Sequence, residues 1–362
     1  MKEDMHYYGT FAMARAAGIG PESAQIIATA AQYVDEAVCP ITVEFEDGGN
    51  VVSFPTGHHM GDVKNLLDDD QRQVWVPFHF LPGNQGQTFS ERMLCRQDSD
   101  IARQMIDHHL GYAHAPFGRE LIGIAAHVYA DTFSHYGFSG FSSRHNRVKS
   151  GSIEVDLEDP EVKTGLLDKL AAFCDRHGTF LPNFRRRFLS DAAQDLSGAL
   201  GHGGVATYPD LPFLFWCFDY ELSGEVSGRR NDETFLQACQ ALHRMFSEFS
   251  NKAPQFADPA GGLPFDSIED TVQGILAIEK DTGGRAEGWK DAMRQGLLSS
   301  GAGEEIPDHQ EGLWTEELKG FHGKADASTL LTSSPYRFFQ AASLHRNHVL
   351  RELLPHHGLA VI

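Results

Sequence analysis

The apolar positions of this chain recur mostly at helical spacing. A periodic run over 5–17 stops at Gly18, and Gly20-Pro21-Glu22-Ser23 opens a second helix whose apolar stripe is Ala24, Ile27, Ala28, Ala31, Val34 and Val38. Asp35 lands on that stripe, where a carboxylate needs a partner, and His6 in the preceding helix is near enough to be considered. Alternating residues on both sides of Asp47-Gly48-Gly49-Asn50 predict a short β-hairpin over 42–54. The stretch 73–82 is expected to be extended, because Pro77 and Pro82 exclude regular helix. Residues 88–110 read as helical with a break near Ser99 and Asp100, and the alanine-rich stretch from Gly123 to His135 forms another helix with hardly any charge on it. Further helices are predicted at 161–177, 183–200, 232–250, 266–280, 284–298 and 335–354, while the aromatic block 213–220 is expected in the core. The sum is a mainly α fold, a helical bundle with one small hairpin.

Charge and cysteine content narrow the setting. With 30 basic and 50 acidic residues the formal charge is −20, which opposes non-specific attraction to nucleic acid or to anionic membranes. The five cysteines (Cys39, Cys95, Cys174, Cys217, Cys239) are scattered and form no CxxC pair, so a reducing compartment fits. The polar start of the chain and the lack of any long apolar run lead to the expectation of a cytoplasmic protein without a membrane span. Glycine- and proline-rich stretches at 253–264 and 299–312 are short for interdomain linkers. The expected division is a metal-binding catalytic domain over 1–252 and a helical extension over 253–362 packed on the same domain.

The chemistry concentrates in the alanine-rich helix. His127, Asp131 and His135 stand at i, i+4 and i+8 and therefore share one face. The two histidines are about 12 Å apart along the axis, a long span for one tetrahedral ion, whereas Asp131 is one turn from each. A carboxylate can bridge, so the spacing favours two ions over one. Other candidate ligands are His6, Asp35, His79 between Phe78 and Phe80, the less favoured His58 and His59, and His202 with Asp210 after a glycine-rich turn. Arg144 and Arg147, a basic cluster in an acidic chain, are expected with Tyr129 to contact an anionic substrate. His108 and His109 diverge by 100° on their helix and are expected at the surface or behind the ligands.

The phrases Met5-His-Tyr-Tyr-Gly, Gln32-Tyr-Val-Asp-Glu, Pro77-Phe-His-Phe-Leu-Pro and His127-Val-Tyr-Ala-Asp-Thr-Phe-Ser-His resemble a microbial family known only as a domain of unknown function, over most of residues 5–220. The order His6, Asp35, His79 and HxxxD resembles, more widely, the zinc-dependent phospholipase C and single-strand-specific nuclease superfamily. That likeness implies an all-α, metallohydrolase-like bundle with up to three zinc ions in a cleft. It also implies that His79, His127, Asp131 and Asp35 gather one ion, that His6 serves a neighbour sharing Asp131, and that His135, His202 and Asp210 serve another. Two features depart from the pattern: His135 follows Asp131 by four residues rather than six, and the chain starts Met1-Lys2 where members often carry a metal-binding N-terminal tryptophan.

The expected function is a metal-dependent hydrolase of phosphoesters. Two ions about 3.5–4 Å apart would make a bridging water acidic enough to attack, with Asp131 and Asp35 as the catalytic carboxylates. Zinc is the first choice of metal, two or three ions per chain, with iron or manganese as alternatives. The rival expectations are a di-iron oxygenase and a non-enzymatic binding protein with structural metal. No Gly-x-Ser-x-Gly elbow, P-loop, His-Glu-x-x-His motif, dinucleotide fingerprint or adjacent His-Asp pair occurs.

Overall fold

A computed structural model describes residues 1–58, 71–149, 151–156, 201–202, 205, 207–301, 303–324 and 328–361. The helices expected at 161–177 and 183–200 lie outside the described residues, as does His59. The chain starts in a π-helical turn, Asp4–Gly9, that runs directly into α1 (Thr10–Ala16). Gly18 reverses the backbone at φ 86°, a conformation that favours glycine, and Pro21 begins α2 (Pro21–Glu36) where its missing N–H costs nothing. β1 (Thr42–Glu44) and β2 (Asn50–Val52) pair antiparallel, so the hairpin forms where alternation places it.

The next segment corrects the sequence expectation. Gln71–Trp75 is a π-helical turn followed by α3 (Val76–Phe78), not an extended strand. Pro77 sits in the first turn of α3, where proline starts a helix rather than breaking one. α4 (Phe89–Arg92) opens with a capping box between Thr88 and Glu91, α5 (Asp100–Leu110) with the Ser99 hydroxyl, and the long α6 (Gly118–Ser134) follows.

Three strands then form a small antiparallel sheet, β3 (Glu154–Asp156), β4 (Phe215–Asp219) and β5 (Val226–Arg230), in the order β3-β4-β5. This sheet was not among the elements expected. The aromatic block is its middle strand: Trp216 and Phe218 are buried while Phe215, Cys217 and Asp219 are partly exposed, an alternation that aromatic side chains on both faces conceal in the sequence. Beyond short 3-10 turns, the remaining helical elements among the described residues are α7 (Asn231–Lys252), α8 (Glu269–Leu276), α9 (Thr282–Arg294), α10 (Leu313–Lys319), α11 (Ser334–His348), a π-helical turn over Val349–Leu353, and α12 (Leu354–His356). Mainly α, with two small antiparallel sheets, is therefore the architecture among the described residues.

One large apolar core takes side chains from both halves of the chain, with α6 packed against α2, α5, α7 and α11. Only Arg119 of α6 escapes burial. Small residues let α2 and α6 approach closely: a Cβ at Gly123 would stand 2.5 Å from the Ile27 carbonyl oxygen and 2.6 Å from Ala30 Cβ. That closeness positions His127.

Candidate metal centre

The crossing of α2 and α6 brings the Ala31 carbonyl to 2.8 Å from His127 Nδ1. A carbonyl only accepts, so Nδ1 carries the hydrogen and Nε2 presents a lone pair inward. The same device recurs at His79. Thr56 binds the end of α2 through its N–H to the Ala37 carbonyl (2.9 Å) and its hydroxyl to the Val34 carbonyl (2.8 Å). Its own carbonyl accepts His79 Nε2–H at 2.9 Å, which leaves Nδ1 facing the cluster. His135, the residue that caps the C-terminal end of α6, donates Nδ1–H to the His79 carbonyl at 2.8 Å and turns Nε2 to Asp210 Oδ1 at 3.1 Å.

The inward atoms converge. His127 Nε2 and His79 Nδ1 stand 3.2 Å apart, and Asp131 Oδ2 is 3.3 Å from the first and 3.5 Å from the second. Asp35 Oδ1 lies 3.7 Å from His79 and 3.9 Å from His127. His6, carried by the first π-turn, stacks on His127 at 3.8 Å and brings Nε2 to 3.2 Å from Asp131 Oδ1. His202 Nε2 is 3.8 Å from Asp210 Oδ2. The α-amino nitrogen of Met1 sits between the carboxylates, 2.7 Å from Asp131 Oδ1 and 3.3 Å from Asp210 Oδ1. Three ligand groups result: Asp35, His79 and His127; His6, His127 and Asp131; His135, His202 and Asp210.

The donor set fits divalent cations. Both ring nitrogens of His6 and Asp131 Oδ2 are buried without a hydrogen-bond partner among the described residues. Leaving such atoms unsatisfied costs roughly 1–3 kcal/mol each. His127 Nε2 and His79 Nδ1 face each other with both other ring hydrogens given to carbonyls, a contact that needs a positive charge between them: a cation, or in its absence the proton that Asp131 and Asp35 favour on His79 against the effect of burial. Imidazole nitrogen and carboxylate oxygen are ligands that zinc, manganese and iron accept, and His127, His79 and His135 each have a carbonyl behind the ring that fixes its tautomer.

Charge inside the cluster is strongly coupled. Burial alone would raise the Asp131 carboxyl, yet His135, the Met1 amine, His127 and His6 hold it well below the usual range. Asp210 is held down in the same way, chiefly by the Met1 amine and His202 against the effect of burial. Burial would lower the amine, but Asp131, Asp210 and Asp35 outweigh it and keep it up at about 10. Burial pushes the His6 ring down to about 3, with His127 acting in the same direction. Asp35 differs from its companions in exposure: 39% of its side chain is accessible, whereas Asp131 is buried. The aspartate expected on a buried stripe thus forms the solvent-facing edge of the cluster.

The structure gathers His6, Asp35, His79, His127, Asp131, His135, His202 and Asp210 in one place, but it sets Tyr129 elsewhere. Tyr129, expected at the substrate, is two residues past His127 and so on another side of α6. There its hydroxyl donates to Asp98 and accepts from Arg244. Arg144 is exposed and Arg147 half-buried, on a turn anchored by the buried Asn146. His58 is buried but belongs to no ligand group among the described residues. His109 is buried too, hydrogen-bonded to His345. Sequence reasoning missed Thr56 and Ala31, whose backbone carbonyls orient the rings and carry no residue-type signal. It also missed a fourth ligand-type group, His108, His348 and Glu352, for which the HxxxE spacing at 348–352 was the available clue.

No helix among the described residues is long and apolar enough to cross a membrane. No curated protein and no solved structure matches this chain. Residues 1–353 match the model of a family of unknown function, DUF6765, and the chain belongs to that family.

Proposed function

We propose that this protein is a metal-dependent hydrolase acting on a phosphoester, with two or three divalent cations, zinc foremost, held by the three ligand groups around Asp131. The observation that carries the proposal is the convergence of His127 Nε2, His79 Nδ1 and Asp131 Oδ2 within 3.2–3.5 Å, every ring hydrogen being directed away to a carbonyl. Cations bound there supply Lewis-acid polarisation of a phosphoryl oxygen and a water that ionises near neutral pH. Asp131 offers an oxygen to each neighbouring group and keeps the histidines in register. Asp35, at the exposed edge, is the carboxylate that an incoming water or leaving group meets first, and it is placed to accept a proton there. That open edge favours a catalytic centre over a purely structural one, which would be closed on all sides. Arg144 and Arg147 are the proposed contacts for the anionic part of the substrate.

The test is elemental analysis of protein purified without added metal, followed by a screen with bis(p-nitrophenyl) phosphate. About two or more zinc ions per chain, with hydrolysis abolished by chelation and restored by zinc, is the expected result. Two irons per chain without hydrolysis, or folded protein that binds no metal, would overturn the proposal.

A further inference from the structure

A second histidine group joins α5 to α11 and shares no residue with the first. His345 donates Nε2–H to the Pro77 carbonyl at 2.8 Å, which leaves its Nδ1 to accept His109 Nε2–H at 2.9 Å. His109 Nδ1 then accepts His108 Nδ1–H at 3.1 Å. Neutral rings in such a series admit one tautomer each, and the last, His108, keeps its lone pair on Nε2. Burial keeps the rings neutral: it lowers His108, with His348 adding to the effect, and pushes His345 down to about 3.

His348 completes the group from α11. Its ring lies flat on His108, centroids 3.4 Å and planes 2° apart. Its Nδ1 donates to Glu352 Oε2, one turn later, at 3.0 Å, and its Nε2 is buried with no hydrogen-bond partner among the described residues. The His348 side chain is 12% exposed and that of Glu352 70%. An unsatisfied buried nitrogen stacked on a second bare imidazole is not accounted for by helix packing, and such atoms call for a ligand, a water or an ion. One ligand atom each from His108, His348 and Glu352 lies within 4.8 Å of the others.

We infer that His108, His348 and Glu352 form a separate divalent-cation site, two imidazoles and one carboxylate, of a kind that takes zinc and clamps α5 to α11. The His109–His345 series stands behind it as the support that fixes the His108 tautomer. Two parallel rings share no point in both planes, so binding turns one imidazole out of the stack. His348 is the ring that turns, because its partner Glu352 is exposed whereas His108 is anchored to buried His109.

The experiment counts zinc per chain at saturation and measures its affinity by chelator competition, in the full chain and in variants. His348→Ala is expected to bind about one ion fewer than the parent, and Glu352→Gln, which alters an exposed side chain, to loosen one zinc at least about tenfold. Asp131→Asn, which strips the α6 cluster, is expected to retain this ion, so failure of this site and failure of the proposed hydrolase centre read out separately. Equal zinc counts and affinities in the parent, His348→Ala and Glu352→Gln overturn the site. Should circular dichroism show His348→Ala unfolded, Glu352→Gln decides alone, and unchanged affinity there overturns it.

Discussion

The two histidine groups of this protein use their ring hydrogens in opposite ways. Around α6, His127, His79 and His135 each give a hydrogen to a backbone carbonyl, so their second nitrogens are left as lone pairs, those of His127 and His79 facing each other and that of His135 facing Asp210. Between α5 and α11, His345, His109 and His108 pass hydrogens from ring to ring, and each interior lone pair is consumed by the next imidazole. Only the last ring keeps one. What leaves a nitrogen free to bind a cation is therefore the acceptor standing behind each ring rather than the number of rings. Three carboxylates, Asp35, Asp131 and Asp210, accompany the first group, while a single glutamate accompanies the second.

The largest effect that would break this contrast is at Asp131, whose oxygens face His6, His127, His79 and His135. Asp131→Asn should lower zinc affinity of the α6 cluster by at least about a hundredfold, whereas His109→Ala should leave that cluster loaded. Zinc counts by elemental analysis that fall equally in both variants would erase the distinction. Next is the helix crossing that places the carbonyl. Gly123→Ala puts a Cβ against the Ile27 carbonyl and should cost about 1–3 kcal/mol in denaturant unfolding, with a further loss of zinc affinity as the Ala31 carbonyl moves off His127. Unchanged stability would mean that the helices separate without penalty.

A pH titration of metal-free protein sharpens the comparison, because both groups contain a ring held near 3, His6 in one and His345 in the other. Each folded value lies below the unfolded value of about 6.5, so the unfolded chain binds the extra proton. Stability should fall as pH drops below about 6.5 and continue to fall to about 3, each ring adding to the slope. His345→Gln should make that slope shallower by one ring's share; thermal melts with identical slopes in parent and variant would refute the assignment. The smallest expected effect is at the exposed turn. Arg144→Ala should raise KM for a phosphodiester about two- to fivefold with metal content unchanged, and an unaltered KM would return that side chain to the solvated surface.

Much of the α6 cluster could be read from residue spacing. The four-residue steps from His127 to His135 put three candidate ligands on one buried face, and Asp35 drew attention by interrupting an apolar stripe. Spacing along a helix is local, and a helix face is a local property. The orienting carbonyls of Ala31 and Thr56 are not, since any residue has a carbonyl and only tertiary packing aims it. The same limit applies to the α5–α11 group, whose members are separated by more than two hundred positions, as with His109 and His345. Pro77 misled for a different reason: its effect depends on whether it falls in the first turn of a helix or beyond it, and that is set by Gln71–Trp75 upstream.

The first π-turn has a consequence for the order of events during synthesis. His6 is presented by Asp4–Gly9, and Asp4 is gripped by both Nε and Nη2 of Arg285, 281 residues later, at 2.7 and 2.8 Å. At ribosomal rates of about 5–20 residues per second, roughly 15–60 s separate the emergence of these two partners. The α6 helix is translated in the meantime with His127, Asp131 and His135 already on it and the His6 turn still unfastened. Completion of the proposed metal centre would thus be a late step of biogenesis, one that a ribosome-stalled fragment ending before Arg285 would not reach.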